Sequence, residues 1–238
     1  SSAASDVYKR QMQADWYRED DATGRNKWLT YFTKELPPLM DEHFHGTGRD
    51  AIAGISMSGG PALNIASLEP ERFAAAASYS GCPATSGVLG DTYVRQALKL
   101  NGADPRKMWG MSSNPAWMAH SPVLHLDALD NTKLFISAAQ GVPGAIDDTK
   151  TSSERIGPPV AIESASYACS EYFVDRAQRA GLDVRWYPQV EGTHSWGLFE
   201  KSMRKSWSVI GPALDVQPFE RETPVTKTPL SEAVSYTH

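Results

Sequence analysis

No apolar run in this 238-residue chain reaches the roughly 18 to 20 residues that a membrane-spanning helix needs. No block of lysine or arginine stands out either. With 23 basic and 28 acidic side chains the formal net charge is −5, so the electrostatic footprint of a nucleic-acid or anionic-membrane binder is missing. Internal repeats and heptads are absent, which leaves out solenoids and coiled coils. Cysteine occurs only twice, as Cys82 and Cys169. In a cytosolic protein such a pair reads as two unrelated buried thiols, and in an exported one it invites a disulfide. The first residues, SSAASDVYKRQ, hold no apolar signal-peptide core. Together with the closing VSYTH they resemble translated sequencing-adapter sequence, so residues 1–11 and 234–238 are read as non-native ends and 216–233 as a tail.

What is present is an ordinary globular composition, 41% hydrophobic and 21% charged, long enough to bury a substantial core. Residues 26–44 follow a helical stripe through Trp28, Tyr31, Phe32, Leu36 and Leu39. Asn26 is placed to cap it, and Pro37 and Pro38 must kink or restart it. Strands are predicted at residues 50–55, 74–80, 133–139 and 184–190, the last with Pro188 suited to a sheet edge. Helices are predicted at 58–68, 92–100, 162–180 and 198–209. Residues 141–159, rich in Gly, Pro, Asp, Ser and Thr, read as a long loop. Strands alternating with helices define the α/β class, a parallel sheet with helices on both faces, in a single domain over residues 12–215.

The stretch GISMS, residues 54–58, sits where the first strand gives way to a helix. That is the context of a nucleophile elbow, G-x-S-x-G, in which small residues flank a strained serine. Gly54 meets the requirement, and Ser58 replaces the second glycine. Pro61 fits less well, since it stands early in the helix. A nucleophilic Ser56 needs a base and an orienting acid, and behind such an elbow they follow in the order acid, then histidine. Of six histidines, His43 and His45 precede the serine, His120 and His125 precede the third strand, and His238 belongs to the end segment. His194, just past the fourth strand in EGTHSWG, is the expected base. The acid should follow the third strand. Asp147 and Asp148 come first and are the generic choice, Glu154 and Glu163 are also available, and spacing alone does not separate them.

From about Asp15 to Val209 the chain resembles the mycoloyltransferases of mycolate-containing actinobacteria, the antigen 85 type, and especially their corynebacterial members. The likeness is carried by DWYREDDATGRNKWLTYFTKELPP, GRDAIAGISMSGG, ASYSGC, MWGMSSNPAW, AIESASYACS and GTHSWG. It implies an α/β-hydrolase fold with Ser56 as nucleophile and His194 as base. It selects Glu163 as the acid, placed ahead of the helix that ends at Gly181. It also implies Met57 as an oxyanion-hole backbone donor and Trp196 as an aromatic beside the sugar site. The implied reaction moves a mycoloyl group from trehalose monomycolate, through a seryl ester, to a second trehalose monomycolate or another envelope hydroxyl. Trehalose mycolates and wall arabinogalactan are the implied partners, with no metal or organic cofactor and no nucleic acid. The alternatives are a carboxylesterase of the same fold and a non-catalytic envelope protein that binds glycolipid or matrix. The resemblance implies export, and with it a Cys82–Cys169 disulfide. It also implies several strands before the region that starts here, with a second oxyanion donor and an Asp/Arg pair that grips trehalose. The sequence therefore reads as an N-terminally truncated fragment of impaired activity.

Overall fold

The computed structural model describes residues 11–147 and 157–216. Asp148, Glu154, nearly all of residues 1–11 and everything from 217 on lie outside the described residues.

The helical stripe at 26–44 is one continuous run with a change of pitch. Trp28–Thr30 is α-helical, Tyr31–Glu35 is a π-helical turn, and α1 (Leu36–Phe44) continues as α-helix. Pro37 and Pro38 have no N–H to donate. The widened turn absorbs the mismatch, and the Leu36 N–H reaches back to Tyr31 O. The cap differs from expectation. Asn26 Oδ1 accepts from Trp28 Nε1 at 3.2 Å, and Asp15 supplies the acceptors at the helix start, taking the Thr30 N–H at 3.1 Å.

Four strands follow the predicted positions within a few residues. They are β1 (Asp50–Ile55), β2 (Phe73–Tyr79), β3 (Lys133–Val142) and β4 (Val184–Glu191). All neighbours are parallel, in the order β1-β2-β3-β4. Pro188 stands on β4, at one edge of this sheet among the described residues. Between the strands run α2 (Gly59–Leu68), α3 (Gly87–Leu100) and α4 (Pro158–Arg179), and α5 (Trp196–Ala213) follows β4. Helix α3 begins five residues earlier than expected, at Gly87. Helix α4 starts at Pro158 because prolines suit the first helical turn, where N–H groups have no intrahelical partner.

The period-2 alternation of β2 separates two cores. On one face Ala76, Leu134 and Ile136 meet Leu63, Ile65 and Ala66 of α2 and Phe173, Val174 and Ala177 of α4. On the other, Ala75, Ala77, Tyr79 and Phe135 meet Ile210 of α5. Helices thus cover both faces. A third cluster joins Trp16 near the chain start to Val94 and Leu98 of α3 and to Met108, Trp109 and Trp117. It seats α3 beyond the C-terminal ends of the strands, over the place where Ser56 emerges.

Candidate active site

Ser56 directly follows β1 with φ +56°, a left-handed conformation that costs a non-glycine residue energy and is held only where its surroundings enforce it. The strain turns the chain sharply, through Ser56–Ser58, into α2. Gly54 makes this turn possible, because a Cβ there would come within 2.0 Å of the Ser58 carbonyl oxygen. Pro61 costs little where it stands. It is the third residue of α2, in the turn whose N–H groups have no helical acceptor.

Ser56 Oγ lies 2.7 Å from His194 Nε2, and His194 Nδ1 lies 2.7 Å from Glu163 Oε2. These residues come from the end of β1, from the loop between β4 and α5, and from α4. Glu163 is completely buried, where a carboxylate without partners is costly. Its second oxygen, Oε1, accepts from Ser80 Oγ at 2.8 Å and from the Ala139 N–H at 2.8 Å. Both lobes of the acid are therefore engaged, one by the imidazole and one by the ends of β2 and β3. Ser80 itself is held at φ +51°. The resemblance put Glu163 ahead of its helix; it lies instead in the second turn of α4, inside the helix that the residue pattern set at 162–180.

The other candidates are placed as follows. Asp147 is buried, and its oxygens meet Thr193, Ser195 and Gly144 rather than the imidazole. Met57 follows the serine, at the turn ahead of α2, and its side chain packs against the Trp16 cluster. Trp196 opens α5 and is 71% exposed. Its ring stands 5.8 Å from that of Phe199, which in turn packs edge-on against His194. Cys82 and Cys169 form a disulfide with Cα atoms 5.0 Å apart. It ties the segment two residues past Ser80 to α4, six residues past Glu163. Among the described residues no group of His, Cys, Asp and Glu is placed to hold a metal ion.

An apolar cavity of about 400 Å³ opens beside Ser56 and His194. Helix α3 lines it with Leu89, Tyr93, Ala97 and Leu100, and α4 with Ile162 and Ala165. The Tyr93 hydroxyl stands 3.2 Å from Ser166 Oγ. Burial, partly offset by the Ser166 hydrogen bond, pushes its pKa up to about 12, so it stays a neutral donor beside the serine. The sequence reading missed Tyr93 and Ser80. Ser80 stood inside the quoted ASYSGC, but nothing local to that motif marks a serine as a partner for a glutamate 83 residues away.

The family model for Esterase matches residues 3–207. The chain is 29% identical over 199 residues to the diacylglycerol acyltransferase/mycolyltransferase Ag85C of Mycobacterium avium, a match covering 80% of this chain and 54% of that protein. To the Ag85B protein of Mycobacterium intracellulare it is 31% identical over 194 residues, covering 77% and 56%. The chain thus spans little more than half the length of the curated relatives it matches. Among solved structures it is similar to Mycobacterium tuberculosis MPT51 (FbpC1), with a TM-score of 0.70 at 20% identity over 86% of this chain and 74% of that one. An S-formylglutathione hydrolase of Agrobacterium tumefaciens gives 0.52 at 18% identity, over 84% and 63%. These likenesses show the α/β-hydrolase fold.

Proposed function

The chain belongs to the Esterase family and is of the antigen 85 type, and from that premise we propose that it carries the site of a serine-dependent acyltransferase which moves a mycoloyl group between hydroxyls of trehalose and other envelope glycans. The observation that carries this reading is the unbroken relay Ser56–His194–Glu163, with both links at 2.7 Å, at the mouth of an apolar cavity.

The steps follow from the geometry. Ser56 Oγ attacks the ester carbonyl of trehalose monomycolate as His194 Nε2 takes the hydroxyl proton. Glu163 accepts a hydrogen bond from Nδ1–H. That fixes the tautomer and stabilises the imidazolium that forms. Negative charge develops on the carbonyl oxygen, and the N–H of Met57, the residue after the nucleophile, is the proposed donor to it. The tetrahedral intermediate collapses, His194 returns its proton to the departing sugar oxygen, and the acyl group stays on Ser56. A second hydroxyl, deprotonated by the same His194, then attacks the seryl ester and restores the enzyme. The apolar walls of α3 and α4 hold the lipid chain and disfavour water at the ester. The exposed Trp196 offers a stacking face for a sugar beside His194. Trehalose mycolates and wall arabinogalactan are the proposed partners, and the proposed setting is the outside of the cell. No helix among the described residues is long and apolar enough to cross a membrane.

A plain carboxylesterase would use the same relay and differ in its acceptor. Incubation with a trehalose monoester separates the two. Transfer predicts trehalose diester as the main acylated product, with free trehalose equal to the diester plus whatever free acid forms, and less free acid than diester. Release of the acid alone, unaffected by added trehalose, would assign the site to hydrolysis.

A further inference from the structure

The base of the relay sits on a segment without regular structure, between β4 and α5, yet its ring must stay within 2.7 Å of partners on both sides. Something has to hold that segment, and one side chain dominates. Asp147 Oδ1 accepts from the Thr193 N–H at 2.8 Å, from Thr193 Oγ1 at 2.8 Å and from Ser195 Oγ at 2.9 Å. Thr193 and Ser195 are the residues immediately before and after His194. Asp147 Oδ2 accepts from the Gly144 N–H at 2.8 Å, which folds the carboxylate back onto its own turn after β3. The two segments pack closely. A Cβ on Gly197 would come within 2.2 Å of the Ile146 carbonyl oxygen. A further tie runs from the His194 N–H to Pro159 O at 3.2 Å.

We propose that Asp147 is the positioning residue of the base, a buried carboxylate that clamps both neighbours of His194 and so sets the angle at which the imidazole meets Ser56. This rests on the reading of Ser56, His194 and Glu163 as a catalytic relay. All the groups that meet Asp147 act as donors, so an anion with acceptor capacity on both oxygens suits the place. An amide would turn an NH₂ group towards one of those donors. The consequence is kinetic. Loss of the clamp leaves the cavity and the nucleophile intact but spreads the orientations of the base, and a misplacement of about 1 Å can cost on the order of 100-fold in rate.

The test uses a p-nitrophenyl alkylphosphonate, which bonds to an activated serine and releases p-nitrophenol. In Asp147→Asn the maximal labelling rate constant should fall about 10- to 100-fold, while the probe concentration giving half that rate stays within about 2-fold of the parent. In a His194→Ala background the same change should make no further difference. Should Asp147→Asn fail to fold, Ser195→Ala removes one arm of the clamp and should slow labelling several-fold. A second readout is the low-field proton resonance of His194 Nδ1–H against Glu163, which should broaden through exchange with water in Asp147→Asn. Labelling at the parent rate, or an equal loss with and without His194, would overturn the proposal. If the parent protein does not label at all, the serine reading fails. The resonance then judges Asp147 separately, and an unchanged signal in Asp147→Asn refutes the clamp.

Discussion

Ser80 Oγ donates to Glu163 Oε1 at 2.8 Å, so the left-handed residue just past β2 holds the far oxygen of the carboxylate that meets His194. The acid is thereby fixed by the sheet as well as by its own helix. Glu163→Gln should lower turnover at least about 100-fold, because the amide no longer holds the imidazole in the required tautomer. Ser80→Ala should be milder, costing about 1–3 kcal/mol for the buried acceptor left short of a partner. Steady-state kinetics and denaturant unfolding of both variants check this. Full activity in Glu163→Gln would remove Glu163 from the relay.

The Cys82–Cys169 bridge closes a separation of 87 residues around the acid. Its loss in the Cys82→Ser/Cys169→Ser variant should destabilise the fold by about 2–4 kcal/mol, read as a lower urea midpoint with a steeper slope, because the unlinked unfolded chain exposes more surface. Because the bridge ties α4 to the segment after Ser80, turnover should fall as well. Identical midpoints with and without reductant would show that the bridge contributes nothing.

Glu163 and Asp147 also mark what the sequence alone could and could not reveal. The four strands are short runs of small and β-branched residues between turn signals, and their parallel order follows from the alternating helices. Ser56 and His194 stood out because an elbow needs a strand before it and a helix after it, and because chain order leaves one histidine. The acid was different. Spacing did not separate Asp147, Asp148, Glu154 and Glu163. The generic choice was Asp147 or Asp148, and only the family resemblance moved the role to Glu163. Residues 158 and 159 read as loop because two prolines hide a helix start. The partnership of Asp147 with Thr193 and Ser195 spans 46 and 48 residues, and no local pattern encodes it.

The cavity walls predict acyl preference. Ala97 and Ala165 line the cavity from α3 and α4. Ala165→Trp should fill much of the apolar space and shift kcat/KM towards short acyl esters by at least about 10-fold, the scale that a few methylenes are worth in an apolar pocket. Hydrolysis or transfer of butanoyl against dodecanoyl esters measures it. An unchanged ratio would place the acyl chain elsewhere.

Acid stability should carry the mark of Asp147. Burial alone would raise its pKa, but the hydrogen bonds from Thr193, Gly144 and Ser195 outweigh it and hold the carboxyl below the ordinary 3.8. A carboxylate depressed in the folded state contributes stability that is present above its unfolded pKa. The contribution is lost as pH falls through the folded value. Unfolding midpoints should therefore fall more steeply below about pH 4 in the parent than in Asp147→Asn. Parallel curves would show that Asp147 is not depressed.

Transfer through Ser56 is tested most directly by catching the acyl group on that serine. A trehalose monoester is mixed with the protein, quenched in acid within the first turnovers, and the intact mass and peptide masses are read. A seryl ester on the transfer path gives an increase equal to one acyl group minus one hydrogen, located on Ser56, absent from Ser56→Ala, and discharged as trehalose diester when fresh monoester is added. An unmodified Ser56 during turnover, or an acyl group that leaves only as free acid, would contradict it.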